Sequence, residues 1–244
     1  MTFYADKCVL ITGGAGGIGV ETALVFLAAG ARVRLADITA ATLDIAHDRL
    51  GRDPRVELVT SDLSSGKECL SVLETGGMPY AIVHLAGISI PDPDDLDDVS
   101  LFDRTMAANV RNGYQLGRLF HRYGEGTPEL PSRMVFTSSL AFRRGGMDRI
   151  AYSAAKGAIA GMIRAMTRRF APIVHVNAVA PGIVLTPMTT DMIGSRGDRL
   201  LNEIPIRRFA HPREVATVIE FLCAPASSYV NGQIINVDGG TVHS

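Results

Sequence analysis

The sequence predicts an α/β fold, a doubly wound parallel sheet of about seven strands with helices on both faces. Three observations carry this expectation. Short runs rich in Val and Ile alternate with helical segments along the whole chain, which is the pattern of repeated βαβ units. The strand candidates are short apolar runs rich in Val and Ile, which suits a parallel sheet covered on both faces. No linker, repeat or low-complexity tract divides the 244 residues, so a single domain spanning 1–244 is expected.

In chain order, the strands are read at "CVLIT", "RVRLAD", "VELVT", "AIVHLAG", "MVFTSS", "IVHVNAVAP" and "QIINVDGG". Helices are read at 17–30, 40–50, 67–75, 95–123, 153–170 and 212–223. The helix around 153–170 draws one apolar stripe from Ile159, Met162, Ile163 and Met166, at spacings of three and four. After the third strand, "SDLSSGKECLSVLETGGMPY" leaves room for only a short helix. The segment 186–210, "TPMTTDMIGSRGDRLLNEIPIRRFA", has weak periodicity and mixed polarity, which reads as a long loop and a substrate lid.

Composition narrows the function. The chain is 47% hydrophobic and 20% charged with a formal net charge of -1, so no basic surplus points to nucleic acid or an anionic membrane. No run of about eighteen apolar residues suggests a membrane span, and the N-terminus has no secretory pattern. Cys8, Cys69 and Cys223 are odd in number and without metal-ligand spacing, which suits a reduced, cytoplasmic setting. A small-molecule partner is expected.

The first strand runs into "ITGGAGGIGVETALVFLAAGARVRLADI". Its glycines at 13, 14, 16, 17 and 19 permit a sharp turn and bring backbone N–H groups and a helix N-terminus against a diphosphate. Asp37 ends the second strand, eighteen residues past Gly19, where a carboxylate accepts hydrogen bonds from a ribose diol and repels a 2'-phosphate. No Lys or Arg lies in the glycine loop, and Ile38 follows Asp37. NAD is therefore favoured over NADP, with Arg34 and Arg32 as the residues that could reverse the preference.

These motifs resemble the short-chain dehydrogenase/reductases, Rossmann-fold proteins of roughly this length, from "VLITGGAGGIG" to "GQIINVDGG". Thr12, Gly13, Gly17 and Gly19 meet the TGxxxGxG motif, and Gly16 and Ile18 lie within the same loop. The resemblance assigns Asp62 and Leu63 to the adenine-contacting pair. It assigns Ala86 and Gly87 to the close approach of the cofactor, and Ile183 and Thr186 of "APGIVLTPM" to the carboxamide. The family's fourth strand usually ends Asn-Asn-Ala-Gly. Here His84 and Leu85 stand in place of the asparagines.

The same resemblance assigns a catalytic set to Asn109 in "AANV", Ser139 in "TSSLAF", and Tyr152 with Lys156 in "YSAAK". Ser139 lies thirteen residues before Tyr152, and strand alternation sends Ser138 to the opposite side. Hydride transfer to a carbonyl needs a proton donor at oxygen, and a tyrosine of pKa about 10 is a poor base near neutrality. An ammonium one helical turn away, together with the nicotinamide charge of the oxidised cofactor, favours the phenolate and lowers that pKa. In the family, Tyr152 and Lys156 also contact the cofactor, Ser139 holds the reacting oxygen, and Asn109 holds a water in a relay through Lys156.

Other signals read as structural. The acidic run "PDPDDLDDVS" lacks the Gly and terminal Glu of a calcium loop and suits a helix N-terminus. The arginine pairs 143–144 and 207–208 flank the expected pocket, which the lid and the segment after Ser139, "LAFRRGGMDRI", shape; they read as solvated charge, with contact to an anionic substrate as the alternative. The histidines at 47, 84, 121, 175, 211 and 243 have no metal-ligand spacing, and no metal is expected. The leading expectation is an NAD(H)-dependent secondary-alcohol oxidoreductase acting as a homotetramer that pairs through its two long helices and C-terminal strand. The alternatives are an NADPH-dependent 3-oxoacyl thioester reductase and a catalytically silent nucleotide-sensing or scaffold protein.

Overall fold

Seven parallel strands form one sheet in the order β3-β2-β1-β4-β5-β6-β7 in the computed structural model, which describes residues 2–95 and 98–242. They are β1 (Cys8–Thr12), β2 (Arg32–Asp37), β3 (Val56–Thr60), β4 (Ala81–His84), β5 (Ser132–Thr137), β6 (Val174–Pro181) and β7 (Ile234–Val237). Every expected strand is present. The three that were read long at their C-terminal ends stop earlier, at His84, Thr137 and Val237, because the glycines and hydroxyl residues beyond leave the sheet to build the cleft.

Helices cover both faces. On one, α1 (Gly17–Ala28), α2 (Ala40–Arg49) and α9 (Pro212–Cys223) close a core around Phe26, Leu35 and Ile219. On the other, α3 (Gly66–Glu74), α5 (Asn112–Tyr123) and α7 (Ile150–Phe170) close a core around Leu116, Phe136 and Ile163. The stripe expected on α7 is the buried one: Ile159, Ile163 and Met166 are buried and Met162 packs at the margin. Its last turn carries Arg168 and Arg169, which suit the negative end of the helix dipole.

The helix expected over 95–123 is α4 (Ser100–Met106) and α5 joined by a π-turn at Ala107–Arg111. Two residues of the acidic run, 96 and 97, and His243 lie outside the described residues. The largest departure is the lid. A 3-10 turn at Pro187–Thr189 leads into a fourteen-residue helix, α8 (Thr190–Glu203), with a short α6 (Ala141–Arg144) facing it across the cleft. Gly194 and Gly197 weaken the helical signal in the sequence, yet Met192, Ile193 and Leu200 fall on one side of the helix. Reversal of strand order between β1 and β4 opens a crevice at their C-terminal ends, where ligands bind in open α/β sheets.

Candidate active site

The glycine loop fills the bend between β1 and α1 so tightly that side chains are excluded. Gly13 has φ +65°, and a Cβ there would lie 2.8 Å from the Ala86 backbone nitrogen. A Cβ on Gly19 would lie 2.6 Å from the carbonyl oxygens of Gly13 and Gly14. On Gly17 it would meet Thr186 Cγ2 at 2.9 Å. The loop therefore presents bare backbone, with the N-terminus of α1 behind it, to a cavity of about 220 Å3. Gly13, Gly16, Gly17, Ile18, Gly19, Gly87 and Thr186 line this cavity together with Asn109, Ser139, Tyr152 and Lys156. It is a cradle that fits the phosphate and nicotinamide portion of a dinucleotide.

Asp37 stands at the rim of the glycine loop. Its Oδ2 accepts from the Ala15 backbone N–H at 3.0 Å, and its Oδ1 from Ile38 N–H at 2.8 Å. The two candidate spoilers are elsewhere. Arg34 is fully buried against α3. Its Nε donates to Glu57 at 2.7 Å, and its other nitrogens donate to the carbonyls of Val72, Leu73 and Gly77 at 3.0 Å each. Arg32 is at the opposite end of β2, about 16 Å from Asp37 at ~3.3 Å per residue. Asp62 and Leu63 follow the end of β3 beside Asp37, whose carbonyl accepts from Ser61 N–H at 2.9 Å, and they do not line the 220 Å3 cavity.

The non-standard end of β4 is held by an imidazole. Asn112 Nδ2 donates to Ala108 O at 2.8 Å, which leaves Asn112 Oδ1 as acceptor for His84 Nε2 at 3.2 Å. His84 thus carries its proton on Nε2, and Nδ1 accepts from the Thr12 hydroxyl at 2.8 Å. Thr12 Oγ1 in turn accepts from Ala86 N–H at 3.4 Å. Burial first, then the Lys156 charge, pushes the His84 pKa down to about 3, so the ring is neutral. The missing amide is replaced by a link from β1 through β4 to the π-turn.

That π-turn carries Asn109. Its Nδ2 donates to Ile88 O and Thr105 O, both at 3.0 Å, while its buried Oδ1 has no partner among the described residues. Oδ1 faces Gly87, where a Cβ would come within 2.3 Å of it and 3.6 Å of Lys156 Nζ. Lys156 is buried, and its Nζ donates to Thr137 O at 2.9 Å. Burial lowers its pKa to about 8. Ser138 and Ser139 both border this cavity beyond the end of β5, but the Ser138 hydroxyl is taken up in donating to Lys156 O at 3.0 Å.

Tyr152 lies 5.4 Å from Lys156 Nζ, measured to its ring centroid. The protein's own groups leave its phenol above the ordinary value. Burial raises the pKa, and a hydrogen bond with Ser139 and the charge of Arg149 oppose this without cancelling it. The sequence pairs Lys156 with the nicotinamide charge in lowering this pKa; among the protein's own groups, the effects that oppose burial are those of Ser139 and Arg149.

Ser139 and Tyr152 also line a second cavity of about 310 Å3, bounded by Ile183, by the 141–149 segment and by α8. Its wall is the lid and the segment after Ser139; the lid is helical where a loop is expected, and Arg144 lines the cavity. Arg143 stacks on Phe142, and Arg208 pairs with Glu214, so the surface reading holds for those two. Sequence reasoning missed Asp92. Its carboxylate accepts from the N–H groups of Ile150 and Ala151, at 3.2 Å for Ala151, and so holds the N-terminus of the helix that presents Tyr152. Its place in an acidic run was the available signal. Among the described residues, no group of three or more His, Cys, Asp or Glu could hold a metal ion.

This is the fold and cleft of a Rossmann-type oxidoreductase. A family model described as enoyl-(acyl carrier protein) reductase matches residues 13–242. The 3-oxoacyl-[acyl-carrier-protein] reductase FabG of Thermotoga maritima is 33% identical, over 97% of this chain and 98% of its own. The 7alpha-hydroxysteroid dehydrogenase of Escherichia coli is 30% identical, over 97% and 94%. A short-chain dehydrogenase/reductase structure from Brucella melitensis, titled glucose/ribitol dehydrogenase, superposes with a TM-score of 0.92 at 33% identity, covering 100% of this chain and 99% of that one. The chain belongs to the short-chain dehydrogenase/reductase family, NAD(P)-binding oxidoreductases that act on CH–OH and keto groups.

Proposed function

We propose that the protein is an NAD(H)-dependent oxidoreductase interconverting a secondary alcohol and a ketone, with Tyr152 as general acid/base. The observation that carries this reading is that Ser139 and Tyr152 line both cavities, one bounded by the glycine loop and the other by the lid. A substrate oxygen at that boundary meets both hydroxyls. When bound, the nicotinamide supplies or accepts the hydride. Tyr152 gives its proton to the ketone oxygen or takes it from the alcohol, and Ser139 donates a hydrogen bond to the same oxygen. Lys156 stabilises the phenolate and holds the nicotinamide ribose. The unpartnered Asn109 Oδ1 accepts from a water that passes protons through Lys156.

The glycine loop, Ala86, Gly87, Ile183 and Thr186 hold the cofactor, with Asp62 and Leu63 at its adenine. Asp37 supports NAD over NADP. It places a carboxylate, tied to Ala15 N–H, where a 2'-phosphate would stand, and Arg34 is consumed by α3. The 33% identical 3-oxoacyl thioester reductase favours a second reading, an NADPH-dependent reductase of such thioesters, against which Asp37 counts. A silent nucleotide sensor has no use for a phenol and a serine facing a second cavity. The enzyme acts as a cytoplasmic homotetramer; α4 and α5 leave Phe102 and Tyr114 exposed for pairing.

Two measurements test the reading. NADH is expected to bind more tightly than NADPH. Tyr152→Phe is expected to cut turnover of secondary alcohols by about a thousandfold or more while NADH binding persists; full activity in that variant refutes the mechanism.

A further inference from the structure

The second cavity has an apolar floor that includes Leu140, Ile183, Met188 and Leu200. Its charged lining is unbalanced: Arg144, Arg149, Arg196 and Arg199 stand against Asp148 and Glu203. These six form two triads. Asp148 accepts from Arg149 through Oδ1 at 2.6 Å and from Arg196 through Oδ2 at 3.2 Å. Glu203 pairs with Arg144 through Oε2 and with Arg199 through Oε1 at 3.5 Å. Both oxygens of each carboxylate are taken, so each triad keeps one uncompensated positive charge. Each contact uses a single guanidinium nitrogen, and a guanidinium has five N–H donors to offer.

Both triads span the cleft, joining α8 to the 141–149 segment that leads to Tyr152. Surface ion pairs usually match charge for charge. An excess of two arginines around a half-open, mostly apolar cavity suits an anion, because guanidinium groups bind carboxylate and phosphate oxygens through paired N–H bonds. The excess is also close to the reacting position: Arg149 is the least exposed of the four, at 21%, and its charge acts on the Tyr152 phenol. At about 310 Å3, near the small end of ligand pockets, the cavity suits a compact molecule.

We propose that the substrate is an anionic secondary alcohol or ketone, with a short apolar body, its reacting oxygen at Tyr152 and Ser139, and a terminal carboxylate or phosphate between the two arginine triads. The proposal rests on the alcohol–ketone reading above and names its substrate class.

The test uses the NADH-loaded protein and calorimetric titration with hexanoate, hexyl phosphate and hexanamide. At least one anion is expected to bind about tenfold or more tightly than the amide, and the tighter anion identifies the headgroup. Arg196→Gln is expected to weaken anion binding roughly fivefold to tenfold, and Arg196→Lys to retain most of it. Asp148→Asn breaks the same bridge to α8 but leaves the triad more positive, so it is expected to tighten anion binding. Arg196→Gln and Asp148→Asn moving in the same direction would mean that the bridge only braces the lid, and that result overturns the proposal, as does equal binding of amide and anions. Oxidation of 5-hydroxyhexanoate against its methyl ester, with NAD+ supplied as hydride acceptor, separates the two readings. Preference for the ester overturns the anionic substrate and leaves the oxidoreductase standing. Triad-dependent binding of hexanoate without oxidation of any alcohol overturns the alcohol–ketone reading and leaves the anion site standing.

Discussion

On the cofactor side of Tyr152 the cleft is walled by backbone, and on the lid side it is walled by long side chains. A methyl group added to Gly13 or Gly19 collides with main chain at 2.8 and 2.6 Å, whereas one added to Gly194 meets nothing within 4 Å. Backbone walls hold a shape common to every substrate of a dinucleotide enzyme. Side-chain walls hold a charge pattern, which is how one scaffold serves many substrates. The two sides should therefore respond differently to the same kind of substitution.

Gly19→Ala should show the largest effect. Its Cβ would push on two carbonyl oxygens of the loop it must support, and backbone cannot swing aside as a side chain can. NADH affinity is expected to fall about a hundredfold, equivalent to ~3 kcal/mol, in a fluorescence titration. Unchanged affinity would mean that the loop yields, and the contrast between the walls would fail.

His84 tests the support behind the cofactor wall through pH. Its native pKa of about 3 lies below the unfolded value near 6.5. Between these values the unfolded chain takes a proton that the native ring refuses. Its contribution to stability is thus intact above pH 6.5 and is lost as pH falls toward 3, at up to ~1.4 kcal/mol per pH unit. Denaturant unfolding at pH 7 and pH 5 should differ by about 2 kcal/mol more in the native protein than in His84→Asn, which has no ring to protonate. An equal pH dependence in the two proteins would show that His84 does not stay neutral in the fold.

Asp37→Ala is a subtler probe at the loop's rim. Loss of the carboxylate should weaken NADH binding about tenfold, ~1.4 kcal/mol, and improve NADPH binding by removing a repelling charge. A variant that still discriminates against NADPH as before would place the preference outside Asp37.

Legibility in the sequence follows the same division. "CVLIT", "RVRLAD" and "VELVT" are strands to the residue, because short runs holding β-branched residues and bounded by turn and helix signals favour the extended backbone. The glycine loop was legible because its geometry demands a residue type. Charge was not legible where only direction gives it meaning. Arg34 could have met a ribose phosphate, but alternation along β2 sends it with Ala36 toward α3. Arg144 was taken for a solvated residue and lines a cavity, since only the fold brings Glu203 across from α8. His84 departs from the expected asparagine, and the sequence could not show that an imidazole ring finds Thr12 and Asn112 on either side.

The lid helix permits the smallest and most discriminating test. Gly197 sits inside α8, and its Cβ would make only an ordinary contact, 3.8 Å from Ile193 Cγ2. Alanine there lowers the entropy of the unfolded segment and favours helix, so Gly197→Ala should stabilise α8 by about 0.5–1 kcal/mol. Slower amide hydrogen exchange over 190–203 would register it, with exchange at the glycine loop unaffected. A glycine that tolerates a methyl group in α8 and one that does not in α1 show two uses of the same residue: close approach of backbone at the cofactor, and a loosely wound helix at the substrate. If Gly197→Ala instead slows exchange in the glycine loop as well, the two walls move as one body, and the lid is part of the cofactor cradle.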